Sequence, residues 1–218
     1  MEVGLIRHFA TEGNLEKRYI GVTDEGIKTE CVPECTLKKE ENGQYGKGNG
    51  REKWEPELVI VSPLRRCRQT AEILFPGAEQ IVCEQMRECD FGLFEGKNYQ
   101  ELTGNPKYQS WIDSGGTKAF PGGEDPQEFR DRACQGFLEG LKICAEDRAE
   151  SAAFVVHGGV ILAVLERFAE TKKEFYEWHV GNGCGYEAEV NLERMEGAGE
   201  NPVLRVITAI QLTEKEKQ

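Results

Sequence analysis

Val3-Gly4-Leu5-Ile6-Arg7-His8 stands near the start of the chain, and Phe9-Ala10-Thr11-Glu12-Gly13-Asn14 follows it. A short apolar run stops abruptly on an arginine and a histidine, and a polar stretch takes over. A run of this length reads as a buried strand. In open α/β sheets, ligands bind beyond the carboxyl ends of the strands. A strand that simply exits to solvent would look the same at this point. Three later stretches separate the two readings.

Leu58-Val59-Ile60-Val61 is the first of them, a second apolar strand. Ser62-Pro63 then opens a helix to about residue 74, with Ser62 as N-cap and Pro63 in the first helical position. Arg65 and Arg66 lie in its first turn, with Arg68 next. Cations there oppose the helix macrodipole, and a bound anion would relieve the conflict. Next, residues 152–156 form a strand that ends on His157-Gly158-Gly159, and an apolar helix follows over 160–168. Strands alternating with helices predict a largely parallel sheet of shared polarity. Arg7, His8, His157 and an arginine of the 65/66 pair would then share one edge. Such a cationic pocket suits a phosphoryl group. The third histidine, His179, has no comparable setting and reads as structural or surface.

The last stretch follows a short third strand at 81–83. In Met86-Arg87-Glu88-Cys89-Asp90-Phe91-Gly92-Leu93-Phe94-Glu95-Gly96, acids alternate with bulky apolar groups, the setting that raises a carboxyl pKa. Spacing does not rank Glu88, Asp90 and Glu95. Residues 97–125 hold short helical pieces and read as a lid-like excursion. A long helix follows, with Asp125 as cap, Pro126 in the first position, and Phe129, Ala133, Phe137 and Leu141 as its buried stripe. Strands are expected at 184–190 and 203–211, with a turn at 197–202 between them. Residues 26–40 read as a poor helix interrupted by Pro33. The segment 40–53 reads as a flexible surface loop, and a phosphate cradle is rejected there because no strand leads in and no helix follows directly. The tail from Thr213 should fray. No internal repeat is present, and the chain reads as a single domain over 1–218.

The chain has 218 residues and a formal net charge of −12. That balance argues against a nucleic-acid or membrane-surface binder, since both need basic faces. No run is long enough to span a bilayer, and no basic region followed by an apolar core opens the chain. A cytoplasmic protein is expected. Of the eight cysteines, only Cys31 and Cys35 are close. No zinc set completes around them, so free thiols of a reduced compartment are expected, and no metal.

Leu-Ile-Arg-His-x-x-Thr-x-x-Asn at 5–14, Ser-Pro-Leu-x-Arg-x-x-Gln-Thr-Ala at 62–71, Glu88 with Gly92 and Glu95-Gly96, and His157-Gly158-Gly159 together resemble the histidine phosphatase superfamily, which includes the cofactor-dependent phosphoglycerate mutases. The resemblance implies a three-layer α/β/α sandwich of phosphoglycerate mutase-like form. It also implies that His8 attacks phosphorus, that Arg7, Arg66 and His157 bind the transferring oxygens, and that Glu88 is the general acid. Counting from Ser-Pro-Leu and back from Gln69-Thr70-Ala71 both select Arg66 over Arg65, which becomes a neighbour. Asn14, Thr23, Arg65 and Gly158 are the implied substrate contacts. No cofactor or metal is implied. One departure stands out: Phe9 replaces the glycine that usually follows the catalytic histidine, which would restrict φ and narrow the pocket.

Mutases of the family more often carry a basic and aromatic pair after the glutamate, and Cys89-Asp90 differs, which favours hydrolysis. Gly21-Val22-Thr23-Asp24, Phe120-Pro121-Gly122-Gly123-Glu124-Asp125 and Phe129-Arg130-x-Arg132 resemble the branch containing α-ribazole-5′-phosphate phosphatase. The implied partner is a small phosphorylated metabolite. A broad sugar-phosphate phosphatase, a phosphoglycerate mutase, or a catalytically weak phosphate-binding module are the alternatives. Monomer and homodimer stay open.

Overall fold

The computed structural model describes residues 1–33, 54–192 and 203–211. The expected loop at 40–53, the turn at 197–202, the tail from Thr213 and Cys35 lie outside them. Six strands form one sheet: β1 (Glu2–Arg7), β2 (Leu58–Val61), β3 (Gln80–Val82), β4 (Ser151–Val156), β5 (Cys184–Val190) and β6 (Leu204–Gln211), in the order β3-β2-β4-β1-β5-β6. β1, β4, β2 and β3 pair in parallel, whereas β5 and β6 run antiparallel. The central strands are nearly continuous apolar runs because helices cover both faces. On one face, α5 (Pro126–Glu146) and α6 (Gly158–Phe168) bury Phe129, Phe137, Leu141 and Ile161 with Phe154 of β4. On the other, α2 (Arg65–Leu74) buries Cys67 and Ala71 against Val59, Val61 and Val155. The α/β/α reading and the Phe129-to-Leu141 stripe both hold.

Register fixes the functional edge. Arg7 pairs with Val156, and Val61 pairs with Val155. One residue further on, His8 donates its amide to the Val156 carbonyl at 3.0 Å, and Ser62 donates to Val155 at 3.2 Å. His8, His157 and Ser62 thus leave three adjacent strands side by side. The parallel topology makes this juxtaposition unavoidable once the register is set.

Two local expectations need correction. Ser62 does not cap α2. The helix begins at Arg65, after Leu64, with no side-chain bond from the cap residue. The Ser62 hydroxyl is engaged by His157, and Asp24 Oδ1 accepts from the Arg65 amide at 2.6 Å. Asp24 therefore supplies the anion that the basic first turn calls for, from 41 residues upstream in the chain. The helix expected from residue 26 is, within the described residues, only a single 3-10 turn at Thr29–Cys31. α1 (Glu12–Leu15), capped by Thr11, follows β1 directly. In the 97–125 excursion, the short α3 (Tyr99–Leu102) leads to α4 (Pro106–Asp113), which packs through Tyr108 and Trp111 against Tyr19, Phe94 and Phe120.

Candidate active site

Two imidazoles form the centre. The His8 and His157 rings lie 5.2 Å apart, edge to face, and both are buried. His8 Nδ1 lies 2.7 Å from the Phe9 carbonyl oxygen. A carbonyl can only accept, so Nδ1 carries the proton and Nε2 keeps the lone pair. Burial is the main force pushing the His8 pKa well below the usual histidine range, and the Arg66 and Arg7 guanidinium groups add to it. His8 is therefore a neutral imidazole with a nucleophilic Nε2. His157, at the amino end of α6, has its pKa depressed by the same burial and by Arg66, His8 and Arg7. Its Nε2 meets Ser62 Oγ at 2.7 Å and Cys67 Sγ at 3.5 Å. Burial holds the Cys67 thiol well above its ordinary pKa, so it stays protonated.

Phe9 does not disturb this arrangement. Its φ is not positive, its side chain is fully buried, and its amide donates to Thr70 Oγ1 at 3.0 Å. The site asks position 9 only for a carbonyl, which any residue provides. The restricted φ of a non-glycine residue is met without strain.

Two guanidinium groups flank the rings. Arg7 Nη1 donates to the Val180 carbonyl at 2.7 Å, and Gly158 lets the group pass: a Cβ there would lie 3.3 Å from Arg7 Cζ. Arg66 has no exposed surface, and its Nη1 and Nη2 donate to the carbonyls of Thr23 and Gly21 at 2.8 and 2.9 Å. The Nε–H of Arg7 and of Arg66 are both buried with no acceptor among the described residues. A buried unpaired donor costs about 1–3 kcal/mol. Two such donors beside a histidine pair make a receptor for oxyanions.

Glu88 closes the third side. Its Oε1 accepts from the Cys89 amide at 3.0 Å and its Oε2 from Gly159 at 3.3 Å. Burial raises its pKa, against the pull of the Cys89 amide and the Arg66 and Arg7 charges. Its loop is braced from α5. Arg132 donates to the carbonyls of Gln85, Arg87 and Glu88 at 2.7, 3.0 and 3.3 Å and pairs with Glu124 at 2.8 Å. Both side chains of that pair are mostly covered, at 11 and 14% exposure. Arg132→Ala would leave three carbonyls without this donor and the Glu124 carboxylate with only the Asp90 amide, at 3.4 Å. It should lower unfolding stability by about 3 kcal/mol, read from urea denaturation; a loss within a few tenths would show the brace to be idle.

The three carboxylates that spacing left unranked now separate. Glu88 accepts from the amide of Gly159, two residues beyond His157, Asp90 accepts from the Gly92 amide at 2.8 Å in its own loop, and Glu95 accepts from Gly21 and Thr23. Asn14 Oδ1 accepts from Thr11 N and from Asn182 Nδ2, which also reaches the His8 carbonyl. Its amide nitrogen is thereby left as the donor end. Thr23 meets Arg66 through its carbonyl and is otherwise exposed. Arg65 is exposed and borders a cavity of about 520 Å³ with Asp24, Arg68 and Glu72, not the histidine pair. It is not brought to the site. His179 is exposed. Ser62 and Asn182 were missed: the first reads as a cap, and no motif singles out the second.

Known proteins share the fold and the sequence pattern of this chain. A Bacillus subtilis (strain 168) protein named Uncharacterized phosphatase PhoE is 27% identical over 184 residues, 84% of each chain. The phosphoglycerate mutase from Thermus thermophilus superposes with a TM-score of 0.64 at 27% identity, covering 97% of this chain and 99% of the other. The α-ribazole phosphatase from Shigella flexneri shares the fold, with a TM-score of 0.75 at 19% identity over the whole of both chains. Residues 3–199 match the model of the Histidine phosphatase superfamily (branch 1), and the chain belongs to that family.

Proposed function

We propose that this protein is a metal-independent phosphomonoesterase that works through a phosphohistidine on His8. The observation that carries this is the pair of buried guanidinium N–H groups, without an acceptor among the described residues, beside a neutral imidazole whose Nε2 is the unprotonated nitrogen. In the first step Nε2 bonds to phosphorus and the ester P–O bond breaks. The departing oxygen takes its electron pair and the Glu88 proton. Arg7, Arg66 and His157 hold the three spectator oxygens, with Asn14 as a further donor. In the second step Glu88, now ionised, takes a proton from water as that water attacks. The P–N bond breaks, and His8 returns as neutral imidazole. Hydrolysis over mutase chemistry is supported by Cys89-Asp90 after the acid and by the Bacillus relative's name.

The substrate class we favour is a small phosphorylated metabolite such as α-ribazole 5′-phosphate, supported by the Gly122-Gly123-Glu124 and Phe129-to-Arg132 resemblance. A screen of phosphomonoesters that includes it, with release of inorganic phosphate as readout, tests the proposal. Isomerised monophosphate without phosphate release would make the protein a mutase, and tight phosphate binding with no turnover a binding module. Gly159 offers a sharper check on Glu88. A Cβ at 159 would sit 2.6 Å from Glu88 Oε1, the movable end of a side chain, and 3.0 Å from the Phe129 ring. Gly159→Ala should therefore fold within about 1 kcal/mol of the parent. Yet it should lose on the order of 10²-fold in kcat, because the acid is displaced. Unchanged kcat would remove Glu88 from the reaction.

A further inference from the structure

Glu95 has no part in the chemistry above, yet its carboxylate is joined to Arg66 by one segment of backbone. Glu95 Oε1 accepts from the amides of Gly21 and Thr23 at 2.8 and 2.9 Å. The same segment turns its carbonyls to Arg66: Ile20 at 3.4 Å, Gly21 at 2.9 Å and Thr23 at 2.8 Å. The peptide unit between Ile20 and Gly21 thus has its N–H on the carboxylate and its C=O on the guanidinium. An acceptor oxygen at the N–H end and a cation at the C=O end both align with the peptide dipole, so each bond strengthens the other.

Two further contacts hold the segment in place. Gly21 rests on the Glu88 loop so closely that a Cβ would lie 1.8 Å from the Cys89 carbonyl oxygen, and Asp24 ties its far end to the Arg65 amide. Glu95 Oε2 is buried without a partner among the described residues. A carboxylate oxygen kept in that state costs folding stability with no bond to offset it. That cost is understandable if Oε1 serves the site rather than the fold.

We propose that Glu95 is a positioning residue for Arg66: it grips the Ile20–Thr23 strap, whose carbonyls aim the guanidinium, and so sets the affinity of the site for a phosphoryl group. This rests on the phosphate-binding role given to Arg66 above. Inorganic phosphate binding by calorimetry and kcat/KM on a phosphomonoester read it out. Glu95→Gln keeps an oxygen with two lone pairs for both amides and should stay within about threefold of wild type. Glu95→Asp is one methylene short of both amides. It should bind phosphate about tenfold more weakly and raise KM more than it lowers kcat. Glu95→Ala should do at least as much.

A double-mutant cycle separates this from general loosening: on an Arg66→Ala background, Glu95→Ala should cost less than about twofold more. Dependence of kcat on the leaving group should not change, because Glu88 is untouched. Asp and Gln variants that both bind phosphate like wild type would overturn the proposal, even if the alanine variant does not fold. So would losses that multiply in the double variant. Wild-type protein that binds no phosphate would overturn both this inference and the phosphatase reading. Wild-type binding with unchanged Glu95 variants overturns this inference alone.

Discussion

His8→Ala should lower kcat by on the order of 10⁴-fold or more and abolish the phosphoenzyme. The size of the loss follows from the absence of a substitute. His157 Nε2 is engaged by Ser62, and burial keeps the Cys67 thiol protonated. Neither can take over at phosphorus. The Arg7 and Arg66 guanidinium groups remain, so the variant should still bind inorganic phosphate. Loss of chemistry with retained binding is the signature of a missing nucleophile, and it separates this outcome from misfolding. Rapid mixing with labelled substrate and an alkaline quench gives the measurement, since a phosphoramidate survives base and is lost in acid. A variant that turns over near the wild-type rate, or that still carries acid-labile label, would move the nucleophile elsewhere in the chain.

The strand ends were legible because burial and topology act together on them. Val3 to Ile6, Leu58 to Val61 and Ala152 to Val156 are apolar on both faces, so their carboxyl ends must be where polar chemistry begins. A shared polarity then aligns Arg7-His8 with His157, and the observed register confirms it to the residue. Choosing Arg66 over Arg65 was harder. Helix electrostatics treat the two first-turn arginines alike, and only the motif count separates them. The structure supplies the physical reason. Arg65 faces outward beside Asp24, which caps the helix, while Arg66 turns inward to the carbonyls of residues 20, 21 and 23.

What stayed hidden were side chains whose partners lie far along the chain. Ser62 has the sequence of an N-cap, and only the adjacent strand end shows that His157 holds its hydroxyl instead. Glu95 and Gly21 are 74 residues apart, and nothing in either stretch announces the bond. Position 9 meets His8 and Thr70 through its backbone, a role that the type of side chain does not reveal. Local pattern fixes elements and their polarity. The second layer around the site is set by tertiary contacts, which periodicity does not record.

Glu88→Gln should divide substrates by their leaving group. An alkyl phosphate must expel an alkoxide unless the oxygen is protonated as the bond breaks, so general acid catalysis is worth about 10²–10⁴-fold there. p-Nitrophenolate leaves as a stable anion and needs little help. The variant should therefore lose about 10²-fold or more on a sugar phosphate and far less on p-nitrophenyl phosphate. pH gives a second signature, and its sign follows from the buried carboxyl. Burial raises the Glu88 pKa, so its proton persists above the usual carboxylate range and is lost as pH rises through the raised value. Activity on an alkyl phosphate should fall on that alkaline side in the parent, and the fall should vanish in Glu88→Gln. The low pKa of His8 keeps the nucleophile neutral throughout that range, so its own limb lies on the acid side and is common to both proteins. Ionisation of the substrate's phosphate is also common to both and cancels in the ratio of their rates. Stability should move the opposite way to activity loss: removing a carboxyl that resists ionisation takes away a term that weakens the native state as pH rises from about 4.5 through the raised pKa. The glutamine variant should therefore gain on the parent in thermal stability across that window. Equal rate losses on both substrates, with an unchanged alkaline limb, would assign the proton to another donor.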